Sequence, residues 1–220
     1  MCGRFTLRAR PHAVAEAFEL LELPDLSPRY NIAPTQSVAT VRFDPEQRRR
    51  VLALQRWGLV PKWADSLSIG NRMINARAEG IATKPAFRQA FVARRCLVVA
   101  DGFYEWHKTP DGKQPYFIHR PDHAPLAFAG LWERWGPENL ESCTIITTAA
   151  NSMMRGLHER MPVILQPADY DRWLDPTLRD RAALEALLQP AADDLLRAEP
   201  VTTLVNSPKN DQPECVVPIG

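Results

Sequence analysis

Long apolar runs are missing from this 220-residue sequence, and no stretch approaches the ~18 apolar residues that a membrane span needs. The N-terminus also lacks an apolar secretory segment, so we expect a cytoplasmic protein with no membrane partner. A strong charge of one sign is missing as well, because 27 Lys and Arg residues balance 26 Asp and Glu residues. Any contact with nucleic acid therefore requires a local basic surface.

Cysteines are few and far apart. Cys2, Cys96, Cys143 and Cys215 include no CxxC pair, which argues against a structural zinc site. Disulfides are rare in a cytoplasm, so all four are expected to be free thiols. Cys96 and Cys143 lie in apolar, strand-like runs and are expected to be small buried hydrophobic residues.

Proline is abundant instead, and its 20 scattered residues are typical of short segments joined by rigid turns. The strand candidates are VATVRF, VLALQRW, CLVVADGFYEW, PYFIHR, LAFAGLWERW, CTIITTA and PVILQ. The helix candidates are 12–23, 152–157, 168–174 and 179–188. In the first of these, Val14, Phe18 and Leu21 have helical spacing before Pro24.

The first two strand candidates flank DPEQRRR, which predicts a hairpin whose arginines lie in a solvated turn rather than on a DNA-binding patch. No repeat, low-complexity tract or linker interrupts the chain. We predict an α+β fold over 1–220, as a single compact domain. A curled, mostly antiparallel, barrel-like β-sheet is expected to carry peripheral helices.

The chain begins MCGRF, with a cysteine directly after the initiator methionine. If Met1 is removed, Cys2 carries two nucleophiles, a thiol and a free α-amine. The alternative is that this cysteine occurs there by chance, in a frayed chain end.

A carboxylate stands between two aromatic residues in DGFYEW, where Glu105 lies between Tyr104 and Trp106. Desolvation there would raise the pKa of Glu105 and suit it to proton transfer near neutral pH. The alternative is that Glu105 faces water. In MINARAEG, Asn75 and Arg77 alternate with alanines, so on a strand they share one face and could line a substrate site. The alternative there is a hydrogen-bonded loop.

Two further segments carry candidates. His158, in GLHERMPVIL, follows a predicted helix and precedes a strand, although a lone histidine is more often structural than catalytic. Trp57 and Trp63 lie near basic residues in RWGLVPKWA. Such interleaving suits stacking on unpaired bases, but Trp57 could equally lie in the core.

The order of these segments resembles a known family. MCGRF, RYNIAPTQ, WGLVPKWA, INARAEG, ADGFYEW, FAGLWERW, TTAAN, HERMPVIL and VNSPKNDQPEC are similar to segments of the SOS response-associated peptidase (SRAP) family of abasic-site processing proteins. The resemblance runs almost from end to end. It implies a crosslinking or lyase-type enzyme of the DNA damage response that captures abasic sites in single-stranded DNA through Cys2.

The resemblance implies a chemistry that fits an N-terminal cysteine. The α-amine, with a reference pKa of about 7.7–8.0, attacks the open-chain aldehyde of the abasic sugar, and the thiol then closes a thiazolidine ring. Asn75 would position the sugar beside Cys2. Glu105 would act as an acid or base near the amine, and His158 would exchange a proton with O4′ of the sugar.

DNA contacts are also implied by the resemblance. Arg4, Arg77 and Arg160 would bind phosphates, and Trp63 would contact a flanking base or the kinked strand. Ala64 stands where some relatives carry a second aromatic residue, which weakens the expected stacking on one side of the lesion. The expected partner is single-stranded DNA with abasic sites, including single-strand/double-strand junctions. We expect a monomer that associates with the nucleoid when bound to DNA and needs no cofactor or metal.

Two rival functions remain at this level. A cysteine peptidase or autopeptidase would use Cys2 as nucleophile, His158 as base and Asn75 as orienting group. A pure binding module would hold single-stranded DNA through arginines and tryptophans without any chemistry.

Overall fold

A computed structural model describes residues 2–110 and 112–219. Most of its strands are paired in antiparallel fashion. The strands are β1 (Phe5–Leu7), β2 (Arg29–Ile32), β3 (Ser37–Asp44), β4 (Arg49–Trp57), β5 (Asn75–Arg77), β6 (Arg95–Ala100), β7 (Gly102–Thr109), β8 (Gly112–His119), β9 (Leu126–Trp135), β10 (Leu140–Ala149), β11 (Arg160–Pro162), β12 (Ile164–Leu165) and β13 (Arg197–Pro200). The helices are α1 (Pro11–Phe18), α2 (Arg88–Ala93), α3 (Ser152–Arg155), α4 (Tyr170–Leu174) and α5 (Arg181–Glu185). Short 3₁₀ helices cover Leu67–Arg72, Pro167–Asp169, Thr203–Asn206 and Pro213–Val216.

The strands form two sheets. The first has five strands in the order β13-β8-β7-β1-β2, and the second has eight. In the second sheet β10, β4, β3, β6 and β9 pair in sequence, and β9 also pairs with β10, so these strands close into a ring. Only the pairings of β10 with β4 and β5 are parallel in the described residues. The predicted α+β class, with a curled, mostly antiparallel sheet and peripheral helices, is confirmed. The domain limits of 1–220 stay a prediction.

An aromatic cluster joins the two sheets in the core. Phe5 of β1 is fully buried and packs edge-on against Trp57 and Phe128, with ring centroids 5.0 Å and 6.0 Å apart. Phe103 of β7 packs against the same Phe128 at 5.9 Å. Trp57 is therefore a core residue, as one of its two interpretations predicted. Because Phe5 is anchored here, the segment just before it is held inside the molecule.

The first helix is shorter than the predicted 12–23. It ends at Phe18, because Glu19 adopts a left-handed conformation with φ 54° and the amide of Leu20 closes back onto the carbonyl of Ala15 at 2.9 Å. Leu21 lies beyond this stop and is 77% exposed, so its helical spacing was misleading. The other three predicted helices are present as shorter elements, α3, α4 and α5.

The β3–β4 hairpin is confirmed, but its arginine run was only partly interpreted correctly. Arg48 lies in the turn with φ 52°. Arg50, in contrast, is buried on β4, where it pairs with Asp171 at 2.6 Å and Glu19 at 3.2 Å. The expectation of a wholly solvated run was wrong for Arg50, because strand β4 begins inside this run.

Among the described residues, no helix combines the length and apolar character required to cross a membrane.

Candidate active site at the N-terminal cysteine

Cys2 is fixed from two directions. Phe5, three residues further on, lies in the core, and the main-chain carbonyl of Cys2 accepts a hydrogen bond from Asn75 Nδ2 at 2.8 Å. Asn75 begins β5, which runs parallel to β10 with Asn75 opposite Ile145. Of the two interpretations of this segment, the strand is present as β5 and the loop was wrong. Cys2 is fully buried, so the interpretation of a frayed chain end was wrong as well.

The thiol of Cys2 lies in a poorly solvated environment. Burial raises its pKa far above the ordinary value, and the nearby carboxylate of Glu105 raises it further. Cys2 is therefore a neutral thiol near pH 7. Glu105 lies on β7, only 4% exposed, so the alternative in which it faces water was wrong. The structure brings Cys2, Asn75 and Glu105 together.

The side chain of Asn75 uses only one of its two polar atoms in hydrogen bonding. Its Nδ2 bonds to Cys2, whereas its Oδ1 is buried and has no hydrogen-bond partner within the residues that the structure describes. A buried acceptor without a partner costs free energy, and native proteins keep few of them. A ligand with a hydroxyl or amine could donate to this oxygen.

His158 lies between α3 and β11. Its main-chain amide donates to Met154 at 2.9 Å, and its Nδ1 accepts from the main-chain amide of Arg160 at 2.9 Å. This bond leaves the proton of the neutral ring on Nε2. Strand β11 pairs with β10 at Thr147, where β5 pairs on the other edge. Strand β10 therefore lies between β5, which begins with Asn75, and β11, which begins two residues after His158.

The three predicted phosphate-binding arginines differ in their surroundings. Arg77 is exposed at the end of β5. Arg160 forms a two-pronged ion pair with Glu79, at 2.7 Å and 2.9 Å, and also donates to the carbonyl of Thr147 at 2.6 Å. Sequence reasoning missed Glu79, although it lies in the same INARAEG segment as Arg77.

Arg4 is directed into the molecule. Its guanidinium donates to Asn31 Oδ1 at 2.7 Å and to the carbonyl of Val205 at 2.8 Å, and burial lowers its pKa. Asn31 is fully buried and also donates to carbonyls of the C-terminal segment, including that of Asn210 at 2.7 Å. Asn31 was also missed, since nothing in RYNIAP marks a link to the far end of the chain. Phosphate binding by Arg4 stays a prediction.

Trp63 lies in a turn and is 59% exposed. The turn is held by Trp135, whose indole N–H donates to the carbonyl of Ala64 at 2.6 Å. The segment before it passes Gly58, which has φ 126° and whose Cβ position would lie 2.6 Å from the carbonyl oxygen of Gly70. A side chain does not fit at Gly58, so this close approach fixes the segment that leads to Trp63.

Asp101, the first residue of DGFYEW, immediately precedes β7 and has a structural role. It accepts hydrogen bonds from Thr6 Oγ1 and from the amides of Arg8 and Ala9, which ties the end of β1 to the start of β7.

All four cysteines are free and buried. Within the described ranges, no group of three or more His, Cys, Asp or Glu side chains could hold a metal ion.

Known proteins are similar to this chain in sequence and in fold. The family model "SOS response associated peptidase (SRAP)" matches residues 1–208. "Abasic site processing protein YoqW" of Bacillus subtilis is 45% identical and covers 98% of this chain and 99% of its own length. "Abasic site processing protein HMCES" of Gallus gallus is 35% identical over 87% of this chain and 66% of its own. A solved structure from Bacteroides thetaiotaomicron superimposes with a TM-score of 0.85 at 26% identity, covering 99% of this chain and 100% of that one.

The family model that matches most of the chain and the 45% identity of a relative over nearly its whole length define the class of this protein. The chain belongs to the SRAP family.

Proposed function

We propose that this protein processes abasic sites in single-stranded DNA by forming a covalent thiazolidine crosslink through Cys2, after removal of Met1. The observation that carries the proposal is the anchoring of Cys2 by Asn75, beside the buried carboxylate of Glu105. The relatives that match almost the whole chain have names that describe abasic-site processing, which supports the same substrate.

The first step is opening of the abasic sugar. The bond between O4′ and C1′ of the cyclic hemiacetal breaks, O4′ gains a proton, and the C1′ hydroxyl loses its proton so that C1′ becomes an aldehyde. His158 suits this transfer, because Nδ1 accepts from Arg160 and Nε2 carries the proton of the neutral ring. The acceptor Oδ1 of Asn75 can receive a hydroxyl of the sugar and hold C1′ near Cys2.

In the second step the unprotonated α-amine of Cys2 attacks C1′, and loss of one water gives a Schiff base. Glu105 can take the proton that the amine loses and return one to the departing hydroxyl. In the third step the thiol adds across the C=N bond. The sulfur–C1′ bond forms and the thiol proton reaches nitrogen, so the balance is the loss of one water and no oxidation.

The raised pKa of Cys2 favours this mechanism over a peptidase. A cysteine peptidase requires a thiolate, which is formed where neighbouring positive charge lowers the thiol pKa. Here burial and the Glu105 carboxylate act in the opposite direction. The Schiff base, however, is an electrophile that the thiol can attack as its proton passes to the imine nitrogen. Reversal through the same groups takes up one water and would release Cys2 from the intact abasic site, whereas lyase-type cleavage would be elimination of the 3′ phosphate from the Schiff base.

DNA would lie across the surface that carries Arg77, Arg160 and Trp63. Arg77 and Trp63 are both exposed, which suits phosphate binding and base stacking. A phosphate at Arg160 would have to displace Glu79 or share the guanidinium with it. The preference for single strands or junctions, the monomeric state and the cytoplasmic location remain part of the proposal.

The test uses untagged protein and a single-stranded oligonucleotide with one abasic site, analysed on a denaturing gel. The wild type should give a band that survives heating. Cys2→Ser keeps the amine but lacks the thiol, so it should give only a heat-labile species. A protein with one extra residue before Cys2 should give no band while unfolding at the same temperature. Equal crosslinking by that blocked protein would refute the amine mechanism.

A further inference from the structure

A hollow of about 470 Å³ is lined by residues of β7, β8, the α3 region and β13, and none of the predicted site residues lines it. His107 of β7 and Tyr116 of β8 contribute aromatic rings, with centroids 6.4 Å apart and planes at 89°. Met153 and Leu157 contribute apolar side chains from α3 and the turn after it. All four side chains are only partly buried, so they are accessible to a ligand.

Residues that line the hollow are neighbours of Glu105 on the sheet and of His158 along the chain. Tyr116 is the partner of Glu105 in the β7–β8 pairing, so the two side chains share one face of the sheet. His107 is two residues from Glu105 and lies on that same face. On the helical side, Leu157 immediately precedes His158. Each of the two proposed proton-transfer residues therefore adjoins a residue that lines the hollow.

We infer that this hollow binds the nucleobase of the nucleotide next to the abasic site. The inference rests on the proposed function. A strand whose abasic sugar reaches Cys2 must place its neighbouring nucleotide beside Glu105 and His158, because the phosphodiester backbone is continuous. A nucleobase is flat and aromatic, and such bases stack on Tyr and His side chains with little preference for sequence.

The charge at the rim fits a nucleotide. Arg197 also lines the hollow, and its side chain is 45% exposed, with its Nε 3.6 Å from Glu199. At that distance the ion pair is weak, so the guanidinium can reach a phosphate oxygen of the same nucleotide. An apolar peptide segment would gain nothing from this cation, which favours a nucleotide as the occupant.

The test measures the rate of crosslinking on a set of abasic oligonucleotides. In each, the nucleotide on the 5′ or the 3′ side of the lesion carries adenine, carries thymine or is a stable baseless tetrahydrofuran residue. On one side, loss of the base should slow the wild type about tenfold, within the range for base–aromatic stacking. Adenine and thymine should differ less than either differs from the baseless residue.

Tyr116→Ala should slow crosslinking of the base-bearing strand by the same factor of about ten. On the baseless strand its rate should equal that of the wild type. Tyr116→Phe should behave like the wild type, since the ring is retained. Lys113→Ala, on the exposed end of the same hairpin, is the matched control. His107→Ala should give the same pattern as Tyr116→Ala with a smaller factor, and it decides the matter if Tyr116→Ala does not fold.

Equal slowing of both strands by Tyr116→Ala and His107→Ala, or no effect of the neighbouring base, would overturn the inference. Slowing by an apolar peptide competitor that is equal on the base-bearing and the baseless strands would also overturn it. If the wild type forms no crosslink on any strand, the proposed function itself fails, which separates the two results.

Discussion

Asn75 and Cys2, 73 positions apart in the sequence, are joined by a 2.8 Å hydrogen bond from the Asn75 amide to the Cys2 carbonyl. The bond fixes the main chain of the residue whose amine and thiol are both proposed to react. Correct positioning of a reacting group lowers the activation barrier substantially, since a displacement of about 1 Å can slow a reaction about 100-fold.

Asn75→Ala should therefore slow crosslinking by about 10- to 100-fold. Non-covalent binding to an undamaged single strand should change by less than about twofold, because phosphate contacts supply most of that affinity. Single-turnover rates and fluorescence anisotropy measure the two effects. Asn71→Ala, at an exposed asparagine that accepts from Arg56, is the matched control. A loss of DNA binding equal to the loss of rate would contradict the positioning role.

Glu79→Gln should tighten DNA binding. Hydrogen bonds from Arg160 lower the pKa of Glu79, so its charge is present at neutral pH and competes with phosphate for Arg160. We expect a gain of about two- to fivefold in affinity at low salt, measured by anisotropy. Glu138→Gln removes the same charge from an exposed turn and should leave affinity unchanged. An equal gain in both variants would point to net charge alone.

Arg77→Ala should weaken binding equally for all base sequences and flatten its salt dependence. Loss of one phosphate contact should reduce the slope of log K against log[salt] by about 0.7 on single strands. Titrations at several salt concentrations give the slope. Arg181→Ala, on the exposed start of α5, is the control. An unchanged slope would remove Arg77 from the phosphate track.

The four thiols should resist alkylation in the folded protein. All four thiols are buried, and burial raises the pKa of Cys2, Cys96 and Cys143, so the reactive thiolate of these three is scarce between about pH 7 and 8.5. Iodoacetamide labelling followed by intact mass should show little modification, which increases as pH rises. Complete labelling should follow unfolding. Rapid modification of Cys2 at pH 7 would indicate an activated thiolate and restore the peptidase hypothesis.

Asp101→Asn should destabilise the fold rather than impair chemistry directly. The amide can satisfy fewer of the donors on Thr6, Arg8 and Ala9, and we expect a loss of about 1–3 kcal/mol in the free energy of unfolding. Urea denaturation measures it, with Asp65→Asn at an exposed position as control. Unchanged stability would show that these bonds contribute nothing to the junction of β1 and β7.

The sequence predicted the parts of this fold that depend on local pattern. The β3–β4 hairpin and the strands β8, β9 and β10 followed from runs of β-branched and aromatic residues around turn signals. The prediction of one strand over CLVVADGFYEW was wrong, because this segment divides at Asp101 into β6 and β7, which lie in different sheets. Strands β1, β2 and β13 were missed, because each has only three or four residues and exists through pairing with distant partners. The end of α1 was missed because the left-handed conformation of Glu19 gave no signal in the apolar spacing.

The site was predictable as a set of residues but not as a geometry. The motif strings named Cys2, Asn75 and Glu105, and the structure brings these three together. The pairing of Arg160 with Glu79 and of Arg4 with Asn31 arises from tertiary packing between distant segments. No local pattern could have revealed that two of the predicted arginines already have partners inside the protein.

The most direct test of the central claim is the intact mass of the covalent species formed by untagged protein and a single-stranded abasic oligonucleotide. The account predicts the mass of the protein without Met1 plus that of the DNA minus one water. Digestion should map the adduct to Cys2, and Cys2→Ala should form no species of this kind that survives heating. Absence of any adduct with Met1 removed and the DNA intact, or an adduct that forms equally with Cys2→Ala, would contradict it.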